Sequence, residues 1–112
     1  MSVSAPFTPT GNTVMITAAV TAPNAVQVIS TTLGGNQYRV INNGSVTAFI
    51  GVGSTAAEAA TNSAAPINGS PTLAIPALAG TIEVLSFKPN AYITASTLNS
   101  TATIYVTPGD GD

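Results

Sequence analysis

The chain contains no histidine, no cysteine and no tryptophan, and across 112 residues it carries only two basic and four acidic side chains. Each absence removes a class of function. Without imidazole or thiol there is no ordinary base near neutral pH, no sulfur nucleophile and no soft metal ligand. No enzymatic activity and no cofactor is expected. Arg39 and Lys88 are the only cations, too few phosphate-neutralising groups for useful affinity to nucleic acid. The same shortage rules out a polybasic membrane patch. Disulfide staples are impossible, so the redox compartment is not readable from cysteine usage. No run approaches the ~20 apolar residues of a membrane span, because the Ala-rich stretch from Thr55 to Ala65 is broken by Glu58, Asn62 and Ser63. Met1 to Pro6 lacks the basic start and apolar run of a signal peptide, so the chain reads as soluble and unsecreted.

What is present points to strands. The sequence has 10 Val, 9 Ile and 17 Thr against 5 Leu, and β-branched side chains suit a pleated surface better than a helix. Ala, Thr, Ser, Gly and Asn make up more than half of the residues, and the net charge is −2. A surface of small uncharged groups offers little repulsion between molecules. Such a chain is expected to live inside an assembly.

Short alternating runs punctuated by turn residues follow one another along the chain, the pattern of an all-β sandwich or barrel. Residues 1–11, with Pro6 and Pro9, read as an extended N-terminal arm, and 12–112 as a single β domain. Thr13 to Val20 places Val14, Ile16, Ala18 and Val20 on one face, and Ala25 to Ser30 follows. Gln37 to Asn42 and Ser45 to Val52 flank Asn43-Gly44, a favoured two-residue hairpin turn. In that hairpin Tyr38 would face Phe49. Both of its faces would be partly apolar, which implies a closed structure or a second protein on one side. Thr55-Ala-Ala-Glu58 matches a capping box, leaving Thr55 to Ala65 as either a short helix or an Ala-rich loop. Thr72 to Ile75, Thr81 to Phe87, Ala91 to Ser96 and Thr101 to Thr107 complete seven to eight short antiparallel strands, with Pro108-Gly109 stopping the last. A compact jelly-roll-like sandwich is the natural fit.

Few residues invite a chemical role. Asp110 and Asp112 form the one acidic cluster, but two carboxylates fall short of the about six oxygen ligands a hard cation takes. Glu58 and Glu83 show no partner for acid–base work. Gly51-Val52-Gly53 opens like a phosphate loop but lacks the continuation. Arg39 and Glu83 sit in strands among uncharged neighbours, either pairing across strands, holding a subunit contact, or discouraging sheet-edge pairing. The aromatics Phe7, Tyr38, Phe49, Phe87, Tyr92 and Tyr105 suit core packing better than a stacking platform. Phe7, Tyr38, Arg39, Phe49 and Glu83 are the candidates for an interface.

The run Tyr38-Arg-Val-Ile-Asn-Asn-Gly-Ser-Val-Thr-Ala-Phe-Ile-Gly-Val-Gly53 is similar to a recurrent pattern in small structural proteins of tailed bacteriophages, where a hairpin of this kind opens the body of the domain. Gly80 to Phe87 and Thr101 to Gly111 resemble its later strands and its Pro-Gly ending, with Asp110 where the pattern has Glu. The resemblance covers Gln37 to Asp112. It implies a capsid decoration, or cement, protein made in the host cytoplasm and placed on the outer surface of the virion. Its partners would be the major capsid protein and itself, as a homodimer or homotrimer, with neither nucleic acid nor membrane. A host-recognition or glycan-binding module of a tail or fibre, or a neck or tail component, is the alternative.

Overall fold

The alternating runs become nine strands and one helix in a computed structural model that describes residues 7–31 and 35–110. In chain order these are β1 (Thr8–Pro9), β2 (Val14–Ala18), β3 (Val26–Gln27), β4 (Gln37–Asn42), β5 (Ala48–Gly53), α1 (Ala56–Asn62), β6 (Ile75–Ala77), β7 (Ile82–Ser86), β8 (Tyr92–Thr97) and β9 (Ala102–Asp110). The pairing is nested: β2 with β9, β3 with β8, β4 with β7 and β5 with β6, all antiparallel. Pairing of β4 with β9 and of β5 with β8 assembles the pairs into two sheets. The first runs β2-β9-β4-β7, with β1 continuing beside β9; the second runs β3-β8-β5-β6. A strand ribbon wound on itself in this order is an eight-stranded jelly roll with one short additional strand.

The core lies between the sheets. Ile16, Val40, Ile104 and Val106 of the first sheet meet Ala48, Ile50, Ile93 and Ala95 of the second, each almost wholly buried. Where one strand supplies two of these residues they are two apart, as one face of a period-2 strand requires. Val20 is the exception on its strand: β2 ends at Ala18, and Val20 is exposed.

The hairpin expected at Asn43-Gly44 does not form. Its two arms, β4 and β5, lie in different sheets and do not pair. A tight two-residue turn needs positive φ at both central residues, and neither Asn43 nor Gly44 adopts it. Gly44 serves close approach instead, since a Cβ there would come within 2.6 Å of the Ala102 methyl. Asn42 decides the geometry. Wholly buried, it donates from Nδ2 to the carbonyls of Val46 (3.0 Å) and Ala77 (2.8 Å), and its Oδ1 accepts from the Gly44 amide (2.9 Å). These bonds tie β4 to the second sheet, and the chain crosses between layers.

Pro108 does not stop β9, which continues to Asp110. The Thr10 amide donates to the Pro108 carbonyl (2.9 Å), but proline has no N–H to return. The Thr10 carbonyl is satisfied elsewhere, by the amide (2.7 Å) and hydroxyl (3.0 Å) of Thr31. The absent donor therefore costs the ladder nothing. The segment read as an arm is extended where described, with Thr8 and Pro9 paired to Asp110 and Gly109; residues 1–6 lie outside the described residues. The strand expected over Ala25 to Ser30 shrinks to Val26–Gln27; the Val28 amide still bonds the Ala91 carbonyl in register, but the Ser30 amide turns to the Asn90 side chain, Oδ1, in place of a strand backbone. The strand expected over Thr72 to Ile75 lies slightly later, as β6.

Candidate functional site

The two sheets treat their outer faces differently. On the second sheet, Gly51 and Gly53 leave room for α1 to lie directly on β5. A Cβ at Gly51 would overlap the Ala59 carbonyl and the Ser63 amide, and one at Gly53 the Glu58 side chain and Ala59 backbone. These glycines seat a helix; they do not open a phosphate loop. The cap forms at Thr55, whose Oγ1 accepts from the Glu58 amide (3.1 Å), while Glu58 Oε1 reaches back one residue beyond the N-cap to the Ser54 amide (2.8 Å). Asn62 Nδ2 donates to the Val52 carbonyl (2.8 Å), and Ser96 Oγ to the Ser63 carbonyl (2.6 Å). So Glu58 is occupied in holding the helix.

Among the described residues no element covers the outer face of the first sheet. Its register brings Met15, Tyr105, Ile41 and Ile82 side by side across β2, β9, β4 and β7. Met15 is 60% and Ile82 54% exposed. In the next row Arg39 stands between Thr107 and Val84, and Thr107 shares a 2.6 Å hydrogen bond with Thr13. In the row beyond, the Phe7 ring lies over Gly109, where a Cβ would overlap it, beside Gln37. Gln37 Oε1 is buried there without a hydrogen-bond partner among the described residues. Beside the uncharged polar Thr17, Thr103, Ser86, Thr107 and Gln37, the face carries aromatic, methionine and aliphatic side chains and one arginine; aromatics, Met and Arg are enriched at protein interfaces.

Arg39 is the only charge on this face among the described residues, and no ion pair or side-chain hydrogen bond engages it. Glu83 is not its partner. Arg39 is opposite Val84 and Glu83 opposite Val40, so the two side chains leave opposite faces of the sheet. Glu83 instead sits on the core side of the edge strand β7, still exposed, where a charge deters another strand from adding. Asp110 ends β9 opposite Thr8. Asp112 lies outside the described residues.

Tyr38 is corrected from interface candidate to core residue. It is wholly buried; its hydroxyl donates to the Lys88 carbonyl and accepts from the Ala91 amide (3.0 Å). Burial pushes its pKa above the ordinary tyrosine value, partly offset by the Ala91 amide. Phe49 is half-buried on the outer face of the second sheet, level with Pro76 and Ser96. The structure thus brings Phe7 and Arg39 together and separates Phe49, Tyr38 and Glu83 from them. Met15, Ile41, Ile82 and Tyr105 escaped notice as a group. Their signal was the apolar residue on both faces of β4 and β7.

A shallow cleft of about 400 Å³ at the C-terminal end of α1 is lined by Val20, Ala22, Ala60, Ala64 and Leu98, among other small side chains. It holds no titratable group. Among the described residues no three His, Cys, Asp or Glu side chains cluster as metal ligands would. No family model, curated protein or solved structure matches the chain.

Proposed function

We propose that this chain is a non-enzymatic structural protein of a tailed-phage virion, decorating the capsid and bracing neighbouring subunits of the shell. The observation that carries this reading is the uncovered, nearly uncharged outer face of the first sheet; the motif resemblance over Gln37 to Asp112 directs it to the capsid. Cementing requires contact and no chemistry. A protein that binds only the assembled shell stabilises it by mass action, in proportion to occupancy and affinity. Low surface charge permits close packing of copies side by side on the shell, which suits a homodimer or homotrimer. The jelly roll itself serves both viral capsid and lectin domains, so fold alone does not choose between them.

Stripping the protein from virions or expanded shells, adding it back and counting bound copies by quantitative co-sedimentation tests the proposal. Saturation at on the order of hundreds of copies, with shells gaining heat resistance by linkage, is the expected result. Saturation at a dozen copies or fewer would move the protein to the neck, tail or fibre.

A further inference from the structure

We infer that the outer face of the β2-β9-β4-β7 sheet is the surface that docks on the shell, and that the shell offers it a flat apolar patch bearing one carboxylate opposite Arg39. The inference rests on the decoration reading and adds the surface and the chemistry of its partner.

Charge selects the occupant. Arg39 is surrounded by Val84, Thr107 and Ile41, and no described acid shares its face. If two copies met through this face, neither could offer a carboxylate to the other, and both guanidiniums would be desolvated unpaired, a costly outcome. A different protein with one acid in an apolar surround satisfies both the arginine and the aliphatic row. Arg suits the position because its fork binds a carboxylate through two parallel hydrogen bonds.

Area points the same way. Four strands about 4.8 Å apart and five residues rising ~3.4 Å each give a footprint of roughly 300 Å², against the ~800 Å² per partner of a stable pairwise complex. The face is too small to hold a free dimer alone. On a shell, contacts with adjoining subunits add to it, and linked contacts reinforce one another.

Three of the four sheet edges compete poorly for the same role; the fourth is β2, Val14–Ala18, which pairs only with β9 in its sheet. β7 carries Glu83 on its core side, β6 carries Pro76, and β3 has two residues, all devices that blunt strand addition.

The test uses the full chain and stripped, expanded shells. Ile82→Lys and Arg39→Glu alter the face; Leu73→Lys places a new lysine at a still more exposed apolar position off it. Matching thermal melts establish that the variants fold. The expected result is at least a tenfold loss of shell affinity for Ile82→Lys and Arg39→Glu, with Leu73→Lys at the wild-type level and Arg39→Lys intermediate. Wild-type binding with Ile82→Lys unimpaired overturns the docking face and leaves the decoration reading standing. Loss in Ile82→Lys with Arg39→Glu unimpaired overturns the carboxylate. A free dimer by sedimentation equilibrium that Ile82→Lys dissolves makes a second copy the occupant and overturns the choice of partner. Failure of the wild type itself to sediment with shells overturns the decoration reading and, with it, this surface's assigned role.

Discussion

The outer faces of the two sheets solve the same problem in opposite ways. Each sheet has one face on the core and one turned away from it. The second sheet gives up side chains at Gly51 and Gly53, and its own helix seals the space. The first sheet keeps Met15, Ile41, Ile82 and Tyr105 and receives no covering element from the described residues. A face closed by its own chain is committed to stability. One left apolar and open is available for another molecule, and contiguous apolar patches mark interaction sites.

That contrast predicts large stability effects on the sealed face and small ones on the open face. Gly51→Leu should be the most damaging, because the new side chain meets helix backbone that has nowhere to go; a loss of about 3 kcal/mol or more is expected in urea unfolding, with lost helical signal. Asn42→Leu comes next. It strands the Val46 and Ala77 carbonyls and the Gly44 amide, and should cost about 2–3 kcal/mol.

Tyr38→Phe should cost about 1–2 kcal/mol by leaving the buried Ala91 amide without its acceptor. It also has a pH signature. The raised pKa means the folded chain holds the phenol proton more tightly than the unfolded chain does. The wild type should therefore keep its stability up to about pH 10, the ordinary tyrosine value, and lose it above as the unfolded chain ionises first. The Phe variant should lack that part of the alkaline decline, which pH-dependent urea titrations would measure. Smallest of all is Ile82→Thr on the open face, expected to shift stability by less than about 0.5 kcal/mol. A large loss there would show the face to be part of the fold and erase the contrast.

Much of this architecture was legible in the residues. Alternation set Ile16 and Ala18 on one face, which the structure turns inward, and Thr55 with Glu58 marked the helix start. Asn90 and Ser100, in the turns on either side of β8, take left-handed φ of 59° and 62°. The failures share a cause. Whether Asn43-Gly44 turns back or crosses over depends on what Asn42 bonds, and Ala77 lies 35 residues away. Whether Pro108 ends β9 depends on Thr31. Tyr38 and Arg39 look alike as interface candidates until register sends one inward and the other out. Local rules gave elements and faces; the partner across the sheet fixed the roles.

The nested pairing also sets a schedule for making the protein. Val14 finds its partner only in Val106, and β4 binds β9 as well as β7. On a ribosome adding about 5–20 residues per second, the earliest strands wait unpaired until the last has emerged. Neither sheet can be completed from the N-terminal half alone, and pairings of such long range form slowly. Folding of this roll therefore waits for β9 to be made, and a nascent chain truncated before β9 should be the form most in need of a chaperone.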